Sequence, residues 1–199
     1  ISKAEGRDSF KAAMTKIDLS AFFQEPELAI NRLAVGPTGD LLLYGAQRKP
    51  QVRQFVAIDP RGQFLDAGLE TKKRGTVTTI AADSEGFFWF GVELATICRT
   101  SLREPKDERC WPVDPWHNGT VIDAIAFDGS LRVLIATRSG VASAALPLTE
   151  SSTWSVIDTH NGLTAGTATS VAFDRNETLW IGTPAGLAAL PREGFESFD

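Results

Sequence analysis

The chain has 199 residues, 43% of them hydrophobic and 23% charged, enough to bury a real core in one or two domains. Its net charge of -5 lacks the basic balance that a nucleic-acid partner demands; the run "KKR" at 72–74 is too short to reverse that and reads as a solvated loop. No apolar run approaches the roughly 18 residues that cross a bilayer as a helix, so no membrane insertion of this chain is expected.

Residues 1–28 read as a lead-in. The chain starts at Ile1 with no visible signal peptide, as expected of a processed protein or of a piece of a longer one. Helical periodicity is confined to "DSFKAAMTK", and "AAMTKIDLSAFF" offers one strand near residues 13 to 19.

From residue 29 the sequence repeats itself. "INRLAVGPTGDLLLYGA", "VTTIAADSEGFFWFGVE", "IDAIAFDGSLRVLIATR" and "ATSVAFDRNETLWIGTP" align without gaps. The turn marker is Gly36, Asp83, Asp128 and Asp174 in the four copies, at successive intervals of 47, 45 and 46 residues. Six residues past each marker stand Leu42, Trp89, Leu134 and Trp180. The units span 29–75, 76–120, 121–166 and 167–199.

Each unit reads as four β-strands. A short apolar run bounded by turn residues predicts an inner strand buried on both faces. Asp, Gly, Asn and Ser then supply a tight turn, because they accept left-handed or side-chain-bonded backbone conformations. A second strand follows ("FFWFGV", "TLWIGT"), then a third ("LATICRT", "GVASAAL", "GLAALP"). The fourth is more polar and carries an aromatic: "QFLDAG", "RCWPVD", "TWSVID" and "FESFD".

Four antiparallel strands in about 46 residues is the spacing of a β-propeller blade, so the predicted fold is all-β, a propeller of about four four-stranded blades. One blade cannot bury both faces alone, so Trp89 and Trp180 are expected to wedge between neighbouring blades. Two architectures fit the count. The first expectation is a small closed ring, latched by residues 13 to 19; the alternative is an arc of a larger propeller, with blade faces and strand edges left open.

The stretch "GLTAGTATSVAFDRNETLWIGTPAGLAAL" at 162–190 closely resembles the two-component regulator propeller repeat, which runs GL, a spacer, V-x-x-I, D-x-x-G-x-L-W-I-G-T and G-L. The likeness is fair in the second and third units and weak in the first, where "GPTGDLLLYG" lacks both the Asp and the Trp. It implies an extracytoplasmic bacterial sensing or surface propeller, periplasmic or secreted, and a part of a larger protein with neighbouring domains. It says little about a ligand, because the signature residues pack and turn.

Cys98 and Cys110 fall on the third and fourth strands of the second unit, flanking the polar loop "RTSLREPKDER". They form a disulfide if the register makes them direct neighbours, and a free-thiol pair otherwise. A bridge would favour an oxidising compartment. Neither has a CxxC partner or a nearby His, so no metal and no cofactor are expected. The sequons at Asn118 and Asn176 read as accidental in a bacterial chain.

The histidines recur in matching places, "DPWHNGT" and "DTHNGLT", each six residues after a fourth-strand tryptophan. Asn-Gly there is turn chemistry first, with the His capping it. These passages between blades are expected to share a rim with the second-to-third-strand turns. That rim would gather Lys73, Arg74, Glu93, Trp116, His117, Asn118, Arg138, His160 and Asn161, a surface suited to a peptide, a glycan or a protein partner. Trp116 is the sharpest candidate, since no other unit has an aromatic there and blade packing does not require it. No G-x-S-x-G, HExxH or phosphate-cradling loop occurs, and residues repeated in every blade are structural. A non-enzymatic recognition module is therefore the leading reading. The alternatives are a propeller lyase or hydrolase with His117 or His160 as general base, and a structural adaptor in a multiprotein assembly.

Overall fold

In a computed structural model of the chain, the described residues are 17–20, 28–47, 52–65, 75–104, 107–113, 120–129 and 131–191. They contain fifteen β-strands and no helix. Blade 1 holds β1 (Leu28–Val35), β2 (Leu41–Gln47), β3 (Val52–Ile58) and β4 (Phe64–Leu65); blade 2 holds β5 (Val77–Ala82), β6 (Phe87–Val92), β7 (Thr96–Ser101) and β8 (Arg109–Pro112). Blade 3 holds β9 (Ile122–Asp128), β10 (Arg132–Thr137), β11 (Gly140–Ala145) and β12 (Ser155–Ile157). Blade 4 holds β13 (Ser170–Phe173), β14 (Leu179–Thr183) and β15 (Gly186–Leu190). Each blade is an antiparallel meander in chain order, so the four repeats are four propeller blades. The fourth strand expected at "FESFD" and most of the latch expected at 13 to 19 lie outside the described residues. Residues 17–20 are not a strand; Leu19 instead packs on Leu43, Val56 and Ile58 of blade 1.

In blades 2 and 4 one side chain organises the first turn. The Asp83 Oδ1 accepts the backbone N–H groups of Glu85 and Phe87 at 3.0 and 2.9 Å, which closes the β5–β6 turn. Its Oδ2 accepts the indole N–H of Trp89 at 2.7 Å and aims that ring out of the sheet. In blade 4 Asp174 repeats the arrangement, with Asn176, Thr178 and the Trp180 indole at 2.8, 3.0 and 3.0 Å. The six-residue Asp-to-Trp spacing is thus one device that sets a turn and orients a wedge.

Packing runs from blade to blade. Trp89 is fully buried against blade 3, stacked on Trp111 at 5.9 Å and tilted against Phe127 at 5.6 Å. Gly91 lets the blades approach, because a Cβ there would lie 2.8 Å from the Ile122 Cβ. Val133, Ile135, Ala142 and Ala144 complete the blade 3 side of that core, and Leu134, Ala136 and Val141 face blade 4. Inner strands β1, β5, β9 and β13 pack in series, and among the described residues no extended packing brings β13 back to β1.

Of the two architectures, the described residues fit the arc. Leu33 and Val35 of β1 are 58% and 60% exposed, and Trp180 is 37% exposed where Trp89 is wholly buried. The expectation that both tryptophans wedge between blades holds for Trp89. Trp180 is 37% exposed, and among the described residues no blade packs on that face.

Cys98 and Cys110 stand directly opposite each other on β7 and β8, with Cα atoms 4.0 Å apart, and form a disulfide. The bridge closes a loop of sequence separation 12. Cys98→Ser with Cys110→Ser is expected to lower unfolding stability by about 2–3 kcal/mol, as loop-closure entropy gives for so short a loop. Chemical denaturation of the parent and double variant checks this, and equal midpoints would contradict it.

Candidate functional site

The strand order creates two rims. One carries the Asp turns and the third-to-fourth-strand connections. The other carries the second-to-third-strand hairpins and the arriving ends of the passages between blades. On this second rim the loops of different blades are hydrogen-bonded to one another. Within blade 2 Glu93 donates its N–H to the Thr76 carbonyl at 3.2 Å, and at the passage toward blade 3 Ala95 donates to the Thr120 carbonyl at 2.9 Å. Val113 donates back to the Ala95 carbonyl at 2.7 Å. The Thr120 and Ser139 hydroxyls meet at 3.1 Å, Ala168 donates to the Thr137 carbonyl at 2.9 Å, and the Thr167 hydroxyl donates to the Arg138 carbonyl at 3.2 Å. The rim is a laced ridge rather than a set of separate loops.

Sequence reasoning missed a residue at its crest. Leu94 and Ala95 both have positive φ, 66° and 50°, although neither is Gly or Asn. Such backbone costs about 1–3 kcal/mol per residue and persists only where the surroundings enforce it. Ala95 is buried and bonded on both backbone groups, which anchors the turn; Leu94 is left 76% exposed. No sequence signal marks this turn, because the residues that ordinarily announce left-handed backbone are absent.

Among the candidate rim residues, Glu93, Arg138, His160 and Asn161 are described, and all four are exposed. Lys73, Arg74, Trp116, His117 and Asn118 lie outside the described residues. The His160-Asn161-Gly162 segment is a turn built around Asp158. That carboxylate accepts the His160 N–H at 2.8 Å, while the Asn161 amide bridges the Asp158 N–H and the Val156 carbonyl at 2.7 and 2.6 Å. The His160 ring lies 3.3 Å from Asp158 but its side chain is 91% exposed, in solvent rather than in a cleft.

Two cavities lie elsewhere. One of about 250 Å³ sits at the seam of blades 2 and 3 beside the opposite rim, among Asp83, Glu85, Trp89, Arg99, Leu146 and Pro147. There the Arg99 guanidinium rests 4.2 Å from the centre of the Phe87 ring, with Trp89 and Trp111 within 5.9 Å. The other, of about 350 Å³, lies along β11 and β12 and is rich in hydroxyls, including Ser143, Ser151, Ser152 and Thr153. None of the four described candidate rim residues lines either cavity. Cys98, Glu108 and Cys110 are the one metal-like trio among the described residues, and both sulfurs are already bonded to each other.

No protein-family profile matches the sequence, and no curated protein matches it. Solved structures do. The extracellular domain of a hybrid two-component system of B. thetaiotaomicron aligns with TM-score 0.58 and 17% identity, over 84% of this chain and 22% of that one. PorZ, a surface component of the type-IX secretion system of Porphyromonas gingivalis, aligns with TM-score 0.60 and 18% identity, over 82% of this chain and 26% of that one. A gluconolactonase of Xanthomonas campestris gives TM-score 0.54 and 14% identity, over 83% of this chain and 59% of that one. The fold is therefore that of a β-propeller, and the likeness to two-component regulator propellers holds at the level of fold. The chain spans less than two thirds of the length of each of these structures.

Among the described residues two carboxyls sit below the usual range. The Trp180 indole N–H and then the Thr178 N–H hold Asp174 down, and the His160 backbone N–H does so for Asp158. A folded pKa below the unfolded value gives stability that is present above the unfolded pKa and lost as pH falls through the folded one. Asp174→Asn is expected to lower the thermal midpoint at pH 7, with the gap to the parent closing below pH 3.8, the ordinary carboxyl value. Thermal scans from neutral to acid pH check this; a gap independent of pH would contradict it.

Proposed function

We propose that this chain is a non-enzymatic recognition module that binds a peptide, glycan or protein partner on its laced rim, as an extracytoplasmic part of a larger signalling or surface protein. The observation that carries the reading is the inter-blade lacing itself. It fixes the Glu93 and Arg138 hairpins and the passages ending at Thr76, Thr120 and Ala168 into one rigid surface. Rigid presentation spares a binder the entropy of ordering its loops. Leu94 adds an exposed apolar anchor next to the acidic Glu93, a mix that suits an extended polar partner better than a small apolar ligand. The rim passage also contains Trp116 and His117, which supply further aromatic and polar contact in this reading. Location outside the cytoplasm rests on the Cys98–Cys110 disulfide and on the likeness to extracellular domains.

The likeness to a gluconolactonase favours one competing reading, a propeller enzyme with a histidine as general base. The exposure of His160 speaks against that role for this residue, since a general base works within reach of a held substrate.

The test is a screen of peptide and glycan arrays followed by titration of the best binder. Arg138→Glu, Leu94→Asp and Trp116→Ala are each expected to weaken binding about tenfold or more with little change in thermal midpoint. Glu85→Lys on the opposite rim is expected to leave binding unchanged. Binding that follows Glu85 instead, or lactone turnover lost in His160→Ala, would overturn the reading.

A further inference from the structure

Each blade sets one third-strand residue directly opposite its wedge position. Leu42 pairs with Ala57, Leu134 with Ser143 and Trp180 with Ala189, so three blades carry a small residue there; Trp89 of blade 2 pairs with Arg99. A second position breaks the repeat in the same blade. Two residues past the turn marker the sequence has Thr38, Ser130 and Asn176 in units 1, 3 and 4, and Glu85 in unit 2. Blade packing requires neither charge, since three blades are built without them. Both charged residues line the cavity of about 250 Å³ at the seam of blades 2 and 3.

The fold pairs neither charge with an opposite one. The Phe87 ring holds the Arg99 guanidinium at 4.2 Å, with Trp89 and Trp111 at 5.6 and 5.9 Å, contacts that fix its position without engaging its five N–H donors. Arg99 is half-buried, and among the described residues no oxygen accepts a hydrogen bond from it. Asp83 lines the cavity too, but its carboxylate already takes three N–H groups, from Glu85, Phe87 and the Trp89 indole. Glu85 is exposed, and its carboxylate makes no ion pair with Arg99 or with any other described residue. A cation and an anion thus line one small cavity at more than ion-pair distance from each other.

We propose that this seam cavity binds a small zwitterion, an α-amino acid with an apolar side chain, its carboxylate on Arg99 and its ammonium on Glu85. A guanidinium stacked on an aromatic ring keeps a planar fork of donors that matches a carboxylate, and the stacking holds that fork in place before a ligand arrives. A ligand with negative charge alone fits less well, because Asp83 and Glu85 together outweigh Arg99. The size agrees, since the cavity lies just below the roughly 300 Å³ at which sites for drug-sized ligands begin. Leu146, Pro147 and the Trp89 ring receive the apolar side chain. The site is apart from the laced rim and stands whether or not that rim binds a partner.

Calorimetric titration of the 199-residue chain with each standard L-α-amino acid tests this. The expected result is that an amino acid with an apolar side chain binds best, with a dissociation constant below about 10 mM. Arg99→Lys keeps the charge without the fork, and Glu85→Gln keeps the shape without the charge; each should weaken that binder about tenfold or more. Analogues of the binder separate the two roles. The acid that lacks its amino group should lose affinity in Arg99→Lys and be indifferent to Glu85→Gln, and the amine that lacks its carboxylate should do the reverse. Leu94→Asp on the laced rim should change none of these. Circular dichroism establishes that each variant is folded, and the exposed Glu85→Gln with the two analogues carries the test if Arg99→Lys is not. No binding of any amino acid up to about 10 mM, equal binding in parent and variants, or analogues that follow the wrong residue would each overturn the proposal.

Discussion

A four-stranded antiparallel sheet that is apolar on both faces is stable only between two others, and every feature of this chain follows from how one blade is seated on the next. In blades 2 and 4 the seating is set by a single carboxylate. Asp83 closes the first turn with one oxygen and orients the Trp89 indole with the other, so the turn and the wedge cannot be moved independently. Because the bond is local, the wedge is presented whether or not a neighbour is there to cover it. Burying a Trp side chain contributes on the order of 2–3 kcal/mol, so a blade with its wedge uncovered forgoes much of what a seam provides. That is the situation of blade 4.

The same seating makes the rim. Blades packed face to face bring the hairpins of one blade beside the passages that lead into the next, and backbone groups at those loop ends must find partners. They find them in the neighbouring loops: Ala95 with Val113 of its own blade and with Thr120 of the passage toward blade 3, and Ala168 of blade 4 with Thr137 of blade 3. The recognition surface is therefore a by-product of blade packing, and its stiffness has the same origin as the stability of the core. The left-handed pair Leu94–Ala95 illustrates the link. Its strain is held by bonds to the fourth strand and the outgoing passage of blade 2, and the exposed Leu94 side chain is the consequence.

The fold was largely legible in the sequence because it repeats. A period of about 46 residues, an Asp turn and a bulky apolar residue six positions later define strand order, turn position and the inward wedge, and β5–β6 and β13–β14 follow that pattern. Cys98 opposite Cys110 was legible for the same reason, since strand order made them neighbours. The repeat could not show what breaks it. Trp89 and Trp180 are the same letter in the same phrase, yet one is buried and the other open, because burial depends on the next blade and not on the blade itself. The site was less readable still. The His160-Asn161 pair reads as turn chemistry first and is a turn locked by Asp158, whereas Leu94 looked ordinary and stands on a strained crest. The Arg99 guanidinium over three aromatic rings also escaped notice, because residues 87, 89, 99 and 111 converge only once the strands are paired.

The central claim is that the wedge is built within its blade and buried only by the neighbour. Hydroxyl-radical footprinting with residue-level mass spectrometry, on protein dilute enough to be monomeric, tests it most directly. The account predicts rapid oxidation of Trp180, Leu187 and Leu33 and strong protection of Trp89, Ile97 and Ile125, which line the closed seam of blades 2 and 3. Equal protection of Trp180 and Trp89 in the monomer would contradict it.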